Sequence, residues 1–440
     1  MYPELLVLSD DSLLTVLSYL PPRELIGCRL LCRRLRDLCL HRDLWKKAVV
    51  RGRGLVRAAL ALAPCVSALI VDSGLPLEVL ASYVPSTTCV VAALHLGVGN
   101  QTEALFAALI VQKLSALGGL KMIALNIDHS FPPGDTLTPL LQAAYNIDGL
   151  KELQIDNNTE KALPAAWCER QVSPSMTKLL YLGPSAGPFL ELLLRTHAAT
   201  LQDVSLYLTE GTPVSFLEKI PGLRHLVCHP HEDLSRLSKL PELQTLDLAE
   251  SPDDEPFVAG ALELLRQASH LRTVTFCFTW VQPLAPLSAL VESPSARLVE
   301  NLELCSARWA DLDVVAAALP QFPSLRTLSL DIVPSYDFLR AVSPTSAPSL
   351  TTLKVYPSRR LCLHAWLHDP ANQDLLARNA RLHLQPIFPQ SVSTVTISDK
   401  CECQWCRWGC HSSLRGPISA DTSFATHGKM SSCPTGCFQI

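Results

Sequence analysis

The chain of 440 residues is poor in several things, and each lack narrows what it can be. No apolar run reaches the roughly eighteen residues that a membrane-spanning helix needs, so no span is expected. The first apolar stretch is interrupted by Asp10 and Asp11 and no basic residues precede it, so it does not read as a secretory signal. Charged residues make up only 18% against 48% hydrophobic, a balance that fits a packed globular chain rather than a disordered one. The formal net charge of -4 gives no overall bias toward nucleic acid. Catalytic signatures are missing as well. There is no P-loop, no Gly-x-Ser-x-Gly elbow, no His-Glu-x-x-His and no dinucleotide-binding glycine fingerprint. The thirteen histidines show no paired ligand spacing in the long middle of the chain. His229 and His231 lie close together but read as polar loop residues. Asp253 and Asp254 precede a helical run, where carboxylates favour the positive helix end, so they read as capping rather than acid–base groups. No catalytic residue is expected.

What is present begins with Leu8 to Trp45. Apolar residues recur there at helical spacing in three short runs, around Leu13–Leu20, Leu25–Leu35 and Leu38–Trp45. Pro21 and Pro22 separate the first two, since proline lacks the amide donor and restrains the residue before it. Three helices from about forty residues bury a poor core alone and leave apolar residues over, which predicts a face that docks on a partner.

This stretch resembles the F-box, the adaptor-binding module of SCF-type ubiquitin ligases, over Leu5 to Lys47. The matching residues are Leu8, Leu13-Leu14, Val16-Leu17, Leu20-Pro21, Leu25, Cys32-Arg33, Leu35-Arg36 and Leu44-Trp45. Ser9 stands where the family commonly has proline, and Leu35 where it commonly has tryptophan. The resemblance implies a Skp-type adaptor and a cullin scaffold as partners, with Leu8, Leu13, Leu14, Leu17, Leu20, Pro21, Leu25 and Trp45 on the adaptor. Arg23 to Arg57 carries eleven basic residues and three acidic ones. A solvated face or a contact with an acidic adaptor is preferred there to a nucleic-acid patch, and no nucleic-acid partner is expected.

From about residue 60 one phrase keeps returning: apolar, two variable, apolar, one variable, apolar. It appears as Val66-Leu69-Val71, Val91-Leu94-Leu96, Leu120-Ile123-Leu125, Leu150-Leu153-Ile155, Leu201-Val204-Leu206 and Leu223-Leu226-Cys228. It continues as Leu243-Leu246-Leu248, Leu271-Val274-Phe276, Val299-Leu302-Leu304, Leu325-Leu328-Leu330, Leu350-Leu353-Val355 and Val392-Val395-Ile397, with a blurred copy near Met176 to Leu182. First positions fall 20 to 30 residues apart, except for a 42-residue gap before the last, and such a period marks a stacked repeat. Each phrase reads as a short strand, and helical runs such as Glu103–Leu117, Pro188–His197 and Pro256–Ser269 lie between. Units of this kind bury their apolar faces only by stacking on one another. The gap holds either a long insertion at residues 361–389 or a degenerate repeat around Leu382-Leu384.

The phrase resembles the leucine-rich repeat over roughly Ala61 to Asp399. The family often places Asn or Cys three residues beyond the third apolar position, and only Asn158 does so here, so the repeats are irregular. The expected architecture is α/β: a three-helix F-box at 5–47, a linker at 48–60, about 12–13 repeats at 61–399 as a horseshoe with parallel strands on its concave face, and a Cys-rich tail at 400–440. F-box followed by such repeats resembles the F-box/LRR substrate receptors of ubiquitin ligases, which are not themselves enzymes. The other reading is a leucine-rich-repeat interaction scaffold outside ubiquitination. Side chains beside the apolar strand positions would face a protein substrate: Asp156, Tyr207, His229, Asp247, Glu303, Asp331 and Tyr356. Carboxylates outnumber cations among them, which points to a basic substrate segment.

Ten of the sixteen cysteines are scattered singly through apolar runs, as Cys65, Cys89 and Cys277 are, and read as small hydrophobes in a reducing compartment, cytoplasmic or nuclear. The other six crowd into the tail. Cys401, Cys403, Cys406 and Cys410, followed by His411, lie close enough for tetrahedral zinc, with His411, Cys433 and Cys437 as alternates. An unliganded tail remains open. So does prenylation of Cys437, in which case alone a membrane would be a partner, although Gln439 fits that signal poorly. No cofactor is expected for the core function.

Overall fold

The structure is a computed structural model that describes residues 7–71, 75–129, 131, 135–165, 172–249, 258–277, 284–305, 312–356, 369–387, 395–396 and 417–418. The chain divides into two compact units, Met1–Leu223 and Arg224–Ile440.

The first unit opens with four short helices, α1 (Asp10–Leu17), α2 (Pro22–Cys28), α3 (Arg33–Leu38) and α4 (Arg42–Trp45). The second of the three expected runs is therefore two helices. The chain turns after Cys28, and Cys32 becomes the N-cap of α3, its sulfur accepting from the Leu35 amide at 3.4 Å. Ser9 caps α1, its hydroxyl accepting from the Ser12 amide at 3.3 Å, which is the work a serine can do where the family has proline. Pro22 opens α2 at a position whose amide would have no helical partner anyway. Leu13, Leu17, Leu25, Leu35, Cys39 and Trp45 fill the centre of the bundle. The Trp45 ring is fully buried, and its indole N–H donates to the Cys39 carbonyl at 2.7 Å.

Strand–helix units follow at once. Seven strands pair in parallel and in chain order: β1 (Val49–Arg51), β2 (Cys65–Val71), β3 (Val90–Val98), β4 (Met122–Ile127), β5 (Glu152–Asn157), β6 (Lys178–Ser185) and β7 (Asp203–Glu210). The helices between and after them are α5 (Arg53–Leu62), α6 (Leu77–Tyr83), α7 (Gln101–Ala116), α8 (Thr138–Tyr145), α9 (Pro188–His197) and α10 (Val214–Leu217). The register explains the repeated phrase. Its second apolar positions, Leu69, Leu94, Ile123, Leu153 and Val204, with Leu179 from the blurred copy, stand in one cross-strand line and are wholly buried. Each such side chain contributes about 1.5–3 kcal/mol by leaving water. The blurred copy is β6, where burial of Leu179 and Tyr181 selects the register. The expected linker at 48–60 instead holds β1 and most of α5, so the first repeat starts directly behind the F-box-like bundle. β1 has three residues with only Val50 buried, too short to display the phrase.

In the second unit seven more parallel strands pair in chain order: β8 (His225–Cys228), β9 (Thr245–Ala249), β10 (Thr273–Cys277), β11 (Asn301–Cys305), β12 (Thr327–Leu330), β13 (Thr352–Val355) and β14 (His383–Pro386). Helices α11 (Ala259–Gln267), α12 (Leu284–Val291), α13 (Leu312–Ala318), α14 (Tyr336–Ala341) and α15 (Pro370–Arg378) alternate with them, and a short 3-10 helix spans Glu232–Lys239. The line of buried apolar residues here runs Leu226, Leu246, Val274, Leu302, Leu328, Leu353, Leu384. The long gap thus contains a degenerate repeat, α15 with β14, and not an insertion alone. Among the described residues the phrase at Val392 adds no strand to the parallel sheet. Its two-residue strand β15 (Val395–Thr396) pairs antiparallel with β16 (Pro417–Ile418). Among the described residues no helix is long and apolar enough to cross a membrane.

Candidate partner-binding surfaces

The eight residues expected to meet an adaptor divide in two. Leu13, Leu17, Leu25 and Trp45 are buried in the bundle's own core, so in the free chain they hold the module together and offer it no contact surface. Leu8 and Pro21 are exposed, and Leu14 and Leu20 are half-buried. Apolar side chains outside the expected eight are also exposed: Leu30 at 88%, Val7 at 84%, Tyr19 at 83%, Leu31 at 53% and Val16 at 44%. Leu30 and Leu31, which the apolar spacing counts in the second run, lie in the turn between α2 and α3, off the buried stripe. The Arg34 guanidinium donates to the Leu8 carbonyl at 2.7 Å and to Asp10 at 2.6 Å, tying α3 to the start of α1. The bundle also seats on the repeats: the Ser67 amide donates to the Ala48 carbonyl at 2.9 Å, beside the β1–β2 pairing.

The face of the sheet turned from the helices carries the second surface. In the first unit, Gly97, Asn126, Asp156, Leu182 and Tyr207 form one cross-strand row. Two of the expected substrate residues, Asp156 and Tyr207, are therefore brought onto one groove. It measures about 750 Å³ and is floored by this row with His95, Ala124, Gln154 and Leu180, and edged by Leu75, Pro76, Glu103 and Asp128. Among the described residues its lining holds three carboxylates and no lysine or arginine. Glu103 is partly committed, accepting from the Gly99 amide at 2.7 Å, while Asn100 caps α7 by accepting from the Glu103 amide at 3.0 Å. Asp156 Oδ1 is shielded from solvent and has no hydrogen-bond donor among the described residues. Burial holds His95 below its usual pKa; Glu152 opposes this and Arg51 adds to it, so the groove's histidine is neutral near pH 7. Of the apolar floor of Leu180, Leu182 and Tyr207, only Tyr207 was among the expected residues; Leu180 and Leu182 belong to the blurred copy, where the register was ambiguous.

In the second unit, Asp247 and Glu303 share the row Val227, Asp247, Thr275, Glu303, Ser329, Lys354 and Gln385. Thr275 separates the two acids, and Lys354 places a cation in the same row. His225 Nε2 stands 3.2 Å from the Asp247 carboxylate. His229, Asp331 and Tyr356 are not in the strands; they lie just past the ends of β8, β12 and β13 and are half-buried. The tail cysteines Cys401, Cys403, Cys406 and Cys410, with His411, Cys433 and Cys437, lie outside the described residues.

Residues 10–51 match the F-box-like family model, so the N-terminal bundle is an F-box-like domain. No curated protein matches the chain. Similar solved structures include the Rad7 and Elc1 complex in yeast, at 16% identity over 79% of this chain and 84% of that one, with a TM-score of 0.42. Another is an internalin (inlF) from Listeria monocytogenes, at 15% identity over 56% of this chain and 79% of that one, TM-score 0.30. A third is a Bacteroides fragilis protein, at 12% identity over 68% and 67%, TM-score 0.27.

Proposed function

We propose that this chain is the non-catalytic substrate-recognition subunit of an SCF-type ubiquitin ligase. The F-box-like domain binds a Skp-type adaptor and through it a cullin, and the repeats hold a protein substrate. One observation carries this reading. The bundle's core is already filled by Leu13, Leu17, Leu25, Leu35 and Trp45, yet Val7, Val16, Tyr19, Leu30 and Leu31 remain exposed. Apolar surface left on a packed module is explained by a partner. A receptor of this kind needs no chemistry of its own, because holding two reactants together raises their effective concentration.

A second reading has its own support. The Ser67–Ala48 hydrogen bond and the β1–β2 pairing let the bundle cap the first repeat of a scaffold that takes no part in ubiquitination. Capping engages the β1 side and leaves the exposed apolar residues unused. Co-purification with a Skp-type adaptor separates the two. Removing central apolar anchors commonly costs about 2 kcal/mol or more each. A Leu20→Ala, Pro21→Ala protein, and separately a Tyr19→Ser, Leu30→Ser protein, should lose adaptor and cullin with the repeats still folded. Trp45→Ala should act differently, destabilising the domain by about 3–5 kcal/mol because the ring fills its core. Unchanged adaptor capture by both surface variants would reject the ligase reading.

The substrate proposed for the repeats is a basic segment, matched to the carboxylates of the first-unit groove and to Asp247 and Glu303. For the tail, zinc on Cys401, Cys403, Cys406 and Cys410 stays a proposal from thiol spacing alone, with elemental analysis as its check.

A further inference from the structure

Two cysteines in the second unit have no part in the reading above. Cys277 ends β10 and Cys305 ends β11, and the parallel register sets them side by side. Both are free and half-buried, and their sulfurs stand 2.6 Å apart. In-register residues of parallel strands leave the same face of the sheet, and neighbouring strands run about 4.8 Å apart. That spacing falls inside the roughly 4.4–6.8 Å between Cα atoms that a disulfide spans. The buried cysteines differ. Burial pushes the Cys89 and Cys228 thiols up to about 12, so they serve as small apolar residues. The hydrogen bond shared with Cys305 instead lowers the Cys277 thiol, against its burial and against the carboxylates of Glu303, Asp247 and Asp331. The same bond raises Cys305. A thiol whose ionisation is favoured by a second thiol beside it is the arrangement from which thiol–disulfide exchange proceeds. Metal chelation is the other use of paired thiols, but among the described residues no group of three His, Cys, Asp or Glu side chains could hold an ion.

We propose that Cys277 and Cys305 form a dithiol modification site, which a small cationic disulfide converts to a disulfide bond between β10 and β11. The cationic class follows from the carboxylates of Asp247, Glu303 and Asp331 around the pair. The Cys277 thiolate attacks one sulfur of the small disulfide and expels the first small thiolate, leaving a mixed disulfide on Cys277. Cys305 then gives its proton to solvent, and its thiolate attacks Cys277 Sγ and expels the second small thiolate. Two electrons pass from the pair to the oxidant, and the two small thiolates leave as thiols with the two protons. The bond closes a 28-residue separation between strands already paired, so it constrains the unfolded chain without rearranging the sheet. None of this depends on adaptor or substrate binding.

The test uses the full chain, reduced, freed of reductant and treated with cystamine under native conditions. Remaining thiols are alkylated and the protein is digested with trypsin, which leaves Cys277 as the sole cysteine of residues 273–297 and Cys305 as the sole cysteine of residues 298–308. The expected product is those two peptides joined, lighter by two hydrogens than their sum, and dominant over other linkages of either cysteine. The oxidised protein should unfold at a higher temperature, and dithiothreitol should reverse the shift. In Cys305→Ser the linked pair should vanish while cysteamine stays attached to Cys277. Treatment in urea should give mixed linkages, which ties the preference to the fold. Recovery of both thiols fully alkylated after native cystamine treatment would overturn the proposal. So would dominant pairing of either thiol with another cysteine, or cysteamine that persists on the unsubstituted pair.

Discussion

His197 is sealed at the end of α9, 2% exposed, where its Nδ1 accepts from the amides of Ser175 at 3.2 Å and Met176 at 3.4 Å. Burial holds it neutral, lowering its pKa from 6.5 to about 4. The unfolded chain binds the proton near 6.5 and the folded chain only near 4, so between these values the unfolded state carries more protons. The stability it contributes is whole above pH 6.5, declines as the pH falls, and loses nothing further below about 4. At about 1.4 kcal/mol per pH unit the loss is on the order of 3 kcal/mol. Asparagine keeps an acceptor for the two amides and cannot titrate. Urea unfolding from pH 7.5 to 4 should therefore show a flatter stability profile for His197→Asn than for the parent, and parallel profiles would clear His197 of the role. Nothing in the sequence marks this histidine. It is the last residue of an amphipathic run, and only the turn that brings Ser175 beneath it makes it a buried acceptor.

At the scale of elements, the apolar phrase was legible because its register is enforced. A one-residue slip would move the line through Leu246, Val274 and Leu302 to the solvent face, and β9, β10, β11 and β13 keep the strict alternation, while β8 and β12 bury the residue between as well. Helices were legible in long apolar-periodic runs such as α7 and α9, not in α5, whose ten residues fall mostly in the expected linker, and less so where caps divide them, as Cys32 divides α2 from α3. The exposed apolar face of the bundle was only partly legible. Helical periodicity locates the apolar residues but not which of them the bundle buries, so the burial of Leu13 and Trp45 and the exposure of Leu30 could not be told apart in the sequence. Close approach between elements is also hidden in sequence. Gly260 opens α11 against the 3-10 helix Glu232–Lys239, and a Cβ there would run into the Glu232 backbone. Because backbone cannot swing aside as a side-chain tip does, Gly260→Ala should destabilise the protein by about 1–3 kcal/mol despite alanine's better helix propensity. Thermal unfolding measures it, and an unchanged or raised midpoint would show that the two elements separate freely.

For the whole molecule, the function proposed above raises the question of which repeats would hold the substrate. The two units present different chemistry on the face turned from their helices. The first has a groove with an apolar floor of Leu180, Leu182 and Tyr207, and the carboxylates Glu103, Asp128 and Asp156 with no lysine or arginine among the described lining residues. The second has a polar row in which Asp247 and Glu303 alternate with Thr275 and are followed by Lys354. A basic segment gains more from the first, where the aliphatic stem of a lysine or arginine can lie along the floor while its charge meets Asp156, whose Oδ1 lacks a donor among the described residues. Open rows of charge gain less, since water screens them. Substrates captured from cells by the intact chain should therefore be lost with Asp156→Lys, Tyr207→Ala, while adaptor binding persists. A combined Asp247→Lys, Glu303→Lys, Asp331→Lys protein should lose fewer of them. The reverse ranking would move the recognition surface to the second unit, and full capture by both variants would show that the substrate does not use the strand face at all.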